Sequence, residues 1–199
     1  WHPKNDREIL SRDELIKEFD IKRAQKAGAV FDERKLNWLQ KKHFDKLSNE
    51  DVVEKLMSIL KENNIKTSKE FLAKVLKVER ERIKTINEFL DVAGFFFKLP
   101  DYDAKLLVWQ NEDLLKTKSV LETSLDIFGT LEEINKDAIQ EALGELIEKE
   151  GRGSVLWPLR VALSGLPASP DPLQIMEILG KEEVLKRLRI AIKKLENET

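Results

Sequence analysis

Cysteine is absent from the 199 residues, so neither a disulfide nor a thiolate zinc site can form. Histidine is nearly absent: His2 and His43 stand far apart, and two such imidazoles read as surface or satisfied side chains rather than as a metal pair. No apolar run approaches the ~20 residues of a membrane span. The opening Trp-His-Pro-Lys-Asn-Asp lacks the build of a secretory signal. A glycine-rich phosphate loop is missing, and no Ser, His and Asp set sits on usable scaffolding, which argues against a standalone enzyme. Alternation with period 2 never persists, so no sheet is expected, and no fixed-period repeat marks a solenoid. These absences lead to the expectation of a cytoplasmic, monomeric protein with no metal, no membrane contact and no DNA partner.

Charge of one sign is also scarce overall. The net charge is −2, with 36% charged and 41% hydrophobic residues, a balance suited to a well-solvated helical protein. The distribution is uneven. Residues 99–150 carry 13 acidic against 5 basic groups, whereas 66–98 carry 8 basic against 5 acidic and 151–199 carry 8 against 6. A polyanion would be repelled by the acidic middle and tolerated elsewhere.

What is present is helical periodicity. The stretch 151–194 reads as three short helices joined by two tight breaks. Pro158 suits a first helical turn, Leu156, Leu159 and Leu163 form a stripe, and Gly165 stops it. Ser169 suits an N-cap with Pro170 following, Ile175, Ile178 and Leu179 form the next stripe, and Gly180 ends it. A last helix from 181 points Val184, Leu185, Leu188, Ile192 and Leu195 inward and Lys186, Arg187, Lys193 and Lys194 outward.

Earlier in the chain, Ser11-Arg-Asp-Glu14 is a capping box ahead of Leu15, Ile16 and Phe19, expected inward. A basic turn with Lys22, Arg23 and Lys26 follows, then a helix from Phe31-Asp32 through Leu36, Trp38, Leu39 and Phe44. Trp38 suits either the core or, with Lys35 and Lys42 at three- and four-residue spacing, a face laid on a nucleic-acid backbone. Ser48 opens another helix, and Thr67-Ser-Lys-Glu70 reads as a capping box before Leu72, Val75, Leu76, Ile83, Ile86, Phe89 and Leu90. Lys74, Lys77, Arg80 and Lys84 share an outer face, either for phosphate or as a solvated face with pairs such as Glu79–Arg82. Phe95, Phe96 and Phe97 cannot all face one way and suit a junction between layers. Residues 100–105 read as a linker-like turn, and two acidic amphipathic helices follow at about 113–128 and 135–150.

Three blocks carry a resemblance. Pro-Leu-Arg-x-Ala-Leu-x-Gly at 158–165 is followed by Ile-Leu-Gly-Lys-Glu at 178–182. Val30-Phe31-Asp32-x-x-Lys35-Leu36-x-Trp38-Leu39 stands near the start, and Arg80-x-Arg82-x-x-Thr85-Ile86 lies between. In this order they resemble the C-terminal region of bacterial-type glutamyl-tRNA synthetases, and the resemblance covers nearly the whole chain.

The resemblance implies an all-α fold: a stem-contact-fold remnant at 1–47, then helical anticodon-binding subdomains at 48–130 and 131–199. It implies tRNA, the glutamate acceptor, as partner. ATP and Mg belong to the parent enzyme, and no cofactor is implied for this part, since the His-Ile-Gly-His-type and Lys-Met-Ser-Lys-type motifs are missing. Arg82 matches the reader of the third anticodon nucleotide, with Lys77, Arg80 and Lys84 beside it. Arg160, Ser169, Gln174 and Ile175 match the region that reads the other nucleotides, although the loop 166–174 is longer and richer in proline than in some relatives. Trp38, Lys35, Lys41 and Lys42 match the stem contact. A helical protein scaffold with no RNA role remains the alternative, separable by the salt dependence of tRNA binding.

Overall fold

The computed structural model describes residues 1, 3, 7–24, 28 and 30–198. His2 and Lys26 lie outside the described residues. Among those described, the chain is helical with no strand: α1 (Arg12–Glu18), α2 (Glu33–Asp45), α3 (Asn49–Glu62), α4 (Lys69–Glu79), α5 (Phe89–Ala93), α6 (Leu114–Thr130), α7 (Lys136–Glu150), α8 (Arg152–Ser164) and α9 (Pro172–Glu196). Short 3₁₀ turns at Ile21–Arg23, Ile86–Glu88, Gly94–Phe96 and Ala104–Leu107 link them.

Local caps set the starts. Ser11 and Glu14 form the expected reciprocal box at α1, and Ser48 accepts from the amide of Asp51 at α3. At α4 the cap is Ser68, one residue later than expected, accepting from the amide of Phe71 at 3.1 Å. Three stops are glycines in backbone that L side chains rarely adopt: Gly151 (φ 93°) ends α7, Gly165 (φ 70°) ends α8, and Gly180 (φ 75°, ψ 166°) bends α9 into two arms.

Packing gathers the elements into two groups. α3 and α4 pack together, with α5 and the 86–88 turn against them, burying Leu56, Leu60, Leu72, Leu76, Ile83 and Phe89. α6, α7, α8 and α9 form the second group around Leu121, Phe128, Leu143, Leu159, Leu163 and Leu188. α4 also meets α9, so the buried side chains form one continuous core. Phe95 and Phe96 are buried with ring centroids 4.3 Å apart, while Phe97 meets Phe71 edge-on, as three consecutive aromatics at a junction must diverge.

Several expectations change on folding. Leu15, Ile16 and Phe19 are exposed, because α1 buries none of its residues. Residues 100–105 are no linker: Tyr102 and Ala104 are buried, and Lys194 reaches the Asp101 carboxylate (2.6 Å) and the Tyr102 carbonyl (2.9 Å). Trp157 donates to the Leu106 carbonyl at 2.9 Å, clasping the same segment to α8. Pro158 sits inside α8 rather than at its start, buried and forgoing one backbone hydrogen bond. Arg187 is 1% exposed, not outward; it pairs with Glu183 at 2.8 Å and donates to the Leu163 carbonyl. No helix among the described residues is long and apolar enough to cross a membrane.

Candidate nucleic-acid interface

The candidate residues gather where α4 ends beside the loop between α8 and α9. α4 stops at Glu79, and the chain turns through two backbone bonds to the Glu79 carbonyl, from the amides of Arg82 (2.8 Å) and Ile83 (3.2 Å). That turn sends Arg80 and Arg82 in different directions. Arg80 folds back toward the end of α2: its guanidinium donates to the Leu47 carbonyl (2.6 Å) and Asn49 Oδ1 (2.7 Å) and lies 5.1 Å from the Phe44 ring centroid. Lys41 donates to the Arg80 carbonyl at 3.2 Å and pairs with Asp45 at 2.9 Å. Both side chains therefore tie α2 to α4.

Arg82 points the other way. Its side chain is 34% exposed; Nη2 donates to the Ala168 carbonyl at 3.1 Å, and Nη1 lies 3.3 Å from the Glu79 carboxylate. Arg160 approaches the same loop from α8, donating through Nη1 to Ser169 Oγ (3.0 Å), to the Pro170 carbonyl (2.7 Å) and to the Ser169 carbonyl. Burial is the largest influence lowering the Arg160 pKa; Asp171 opposes it, and the charge of Arg82 adds to it. Ser164 holds the near end of the loop by accepting from the Leu166 amide at 3.1 Å. Two cations from separate packing groups thus grip consecutive carbonyls of one loop.

The helix beyond that loop starts two residues later than expected. Arg160 occupies Ser169, so the cap passes to Asp171, which accepts from the Leu173 amide at 2.8 Å, with Pro172 in the first turn. Asp171 thus takes an N–H that an anion would otherwise use. Gln174 is exposed on that turn, whereas the Ile175 side chain is fully buried.

The other candidates lie apart. Lys77 is exposed on α4. Lys84 lines an open groove of about 970 Å³ between the first helices and the 84–88 turn, shared with Lys35, Gln40 and His43. Lys35 is paired with Glu8 on its rim. Trp38 is 42% exposed rather than core, with the Lys42 ammonium 6.0 Å from its ring centroid. Among the described residues no cluster of acidic or imidazole side chains could hold a metal ion.

Sequence reasoning gave Glu79 only as a surface pairing partner. Its side chain is 0% exposed, and burial, the dominant influence, pushes its carboxyl up to about 7 against the pull of Arg82. The signal was available: 72, 76, 79 and 83 share helical spacing, and the other three positions are Leu72, Leu76 and Ile83.

The described residues thus form an all-α body in which Arg82 and Arg160 converge on the loop between α8 and α9. Residues 51–192 match the model of the anticodon binding domain, and the chain belongs to that family. It is 36% identical to the glutamate–tRNA ligase of Porphyromonas gingivalis over 98% of this chain and 39% of the relative. With that of Clostridium tetani the identity is 34%, over 100% of this chain and 41% of the relative. The crystal structure of a glutamate tRNA ligase from Elizabethkingia meningosepticum in complex with its amino acid superposes with a TM-score of 0.81 at 32% identity, covering 98% of this chain and 39% of that one. The chain thus spans about two fifths of the length of these relatives.

Proposed function

We propose that the chain is the anticodon-reading part of a glutamate–tRNA ligase, non-catalytic by itself. It recognises the anticodon stem and loop of the glutamate acceptor, and the remainder of such a protein attaches glutamate with ATP and Mg. The observation that carries the reading is the convergence of Arg82 and Arg160 on the carbonyls of Ala168, Ser169 and Pro170. A guanidinium has five N–H donors in a planar fork, so Arg82 keeps free donors after serving Ala168. Single-stranded loops splay their bases toward such groups.

In this reading Arg82 meets the third anticodon nucleotide, and Arg160, Ser169 and Gln174 shape the side that receives the others. Lys77 and Lys84 meet phosphate. Trp38, Lys35 and Lys42 meet the stem, and Arg80 and Lys41 act indirectly by fixing α2 against α4. α3–α5 and α6–α9 form the two consecutive subdomains, preceded by residues 1–47 as the stem contact. The contacts of α6 with α7, α8 and α9 support moving the boundary from residue 130 to the segment before α6.

The test uses synthetic RNA stem-loops carrying C or G at the third anticodon position. On its Watson–Crick edge cytosine offers a guanidinium two adjacent acceptors, N3 and O2, whereas guanine places the N1–H and N2–H donors there and keeps only O6 as acceptor. One charge-assisted hydrogen bond is worth about 1.5–3 kcal/mol, so Arg82→Gln should lower the C-over-G preference by roughly 10- to 150-fold. Lys77→Gln should weaken both RNAs alike, as loss of a phosphate contact does. A preference that Arg82→Gln leaves unchanged, or an affinity insensitive to salt, would overturn the reading.

A further inference from the structure

Glu79 is a buried acid that its surroundings do not serve. Neither carboxylate oxygen accepts a hydrogen bond among the described residues. It stands at the C-terminal end of α4, where the helix dipole further disfavours a negative charge. Arg187 shows how this fold serves a buried charge elsewhere, with a carboxylate at 2.8 Å and a carbonyl both engaged. An apolar side chain at 79 would extend the stripe of Leu72, Leu76 and Ile83 without the desolvation cost of an ion. The charged group facing Glu79 is Arg82, with Nη1 3.3 Å from Oε2. Behind Arg82 stand Arg160 from α8 and Asp171 at the cap of α9.

The two contacts of Arg82 define a geometry. Nη1 faces the carboxylate of Glu79, and Nη2 donates to Ala168, so these two anchors and the side-chain stem together orient the guanidinium. We propose that Glu79 is a positioning residue for Arg82, its ionised carboxylate anchoring Nη1 so that the remaining donors of the fork face outward in one orientation. The inference rests on Arg82 being the reader of the third anticodon nucleotide. When Glu79 takes up a proton, the Coulomb anchor is lost, the fork is held by Ala168 alone, and base selectivity falls. Because burial raises this carboxyl to about 7, the exchange falls within the neutral range, where the RNA's phosphodiesters do not titrate.

The experiment measures binding of the C- and G-bearing stem-loops from pH 5.5 to 8.5, using the wild-type chain, Glu79→Gln and Arg82→Gln. The C-over-G ratio of the wild type should rise with pH by roughly threefold to tenfold, a fraction of what a charge-assisted contact supplies. Glu79→Gln should give a low ratio that is flat with pH. Arg82→Gln should also be flat and lower still. A wild-type ratio that is flat with pH while Arg82→Gln abolishes it would overturn the role of Glu79 and leave Arg82 as reader. A full ratio retained by Glu79→Gln would do the same. An unchanged ratio in Arg82→Gln would overturn both. Should Glu79→Gln fail to fold, the wild-type pH profile still decides. A purely structural role for Glu79 would move the melting temperature and not the ratio.

Discussion

In the first 47 residues, Pro3 and Phe44 are the side chains buried among those described, while Leu15, Ile16, Phe19, Ile21, Val30, Phe31, Leu36 and Trp38 stand in the open. From residue 48 onward the large exposed hydrophobics are Leu115 and Ile190, and every long helix buries a stripe. The two regions use the same local devices. α1 has a complete capping box, and Arg7 bridges Glu14 and Glu18 across it; α2 has an Asp32 cap accepting from the amides of Arg34 and Lys35. Caps and i,i+4 spacing therefore specify where a helix begins, while a partner surface decides whether its apolar stripe leaves water.

The largest expected effect sets that comparison against itself. Phe128→Ala, at 0% exposure among α6–α9, should cost about 3–5 kcal/mol. Phe19→Ala, in the open on α1's flank, should stay within about 0.5 kcal/mol. Urea unfolding of both variants checks it, and equal losses would mean that the first helices are packed in solution.

Next in size is a contrast between two carboxylates. Glu79 is raised to about 7 by burial, so the folded chain binds a proton that the unfolded chain has already released above its ordinary 4.5. Stability should fall as pH rises between those values, by up to about 3 kcal/mol at 1.36 kcal/mol per unit. Glu79→Gln should lack this slope. Glu14 runs the opposite way: hydrogen bonds from the Ser11 backbone and hydroxyl, then from Arg7, hold it down to about 2. Its contribution is present above the ordinary carboxyl range and lost as pH falls toward 2. Thermal melts from pH 2 to 8 separate the two, and identical profiles for wild type and Glu79→Gln would refute the burial argument.

The smallest contrast uses two glycines. A Cβ at Gly165 would sit 2.7 Å from Pro100 Cγ on backbone at φ 70°. Gly165→Ala should therefore lose about 1–3 kcal/mol. At Gly28 a Cβ meets nothing within 4 Å among the described residues, and Gly28→Ala should be neutral in the same melt.

The 166–171 loop shows where sequence reading stopped. Ser169-Pro170 and Asp171-Pro172 are both acceptable cap pairs, and local chemistry alone does not choose between them. Arg160 chose, by taking the hydroxyl and carbonyl of Ser169 and leaving Asp171 to cap α9. Arg187 misled in a similar way: one more cation on an apparently outer face, it is buried because Leu163 and Glu183 receive its donors there. Residues 100–105 look like a linker since Pro100, Asp101 and Asp103 break periodicity, yet Lys194 and Gly165, both distant in sequence, close over them.

What the sequence determined by itself is the all-helical class, the starts of α1 and α3, the breaks at Gly165 and Gly180, and the blocks that carry the family likeness. All of these depend on residues within a turn or two of one another. Tertiary structure decided which stripes are buried, where Arg80 turns, and that Arg82 and Arg160 meet at one loop. It also decided that Glu79 lies beneath that meeting. Those outcomes depend on desolvation and on hydrogen-bond partners 9 to 93 positions away in sequence, as between Arg160 and Ser169 or Lys194 and Asp101. Spacing along the chain carries no record of such partners.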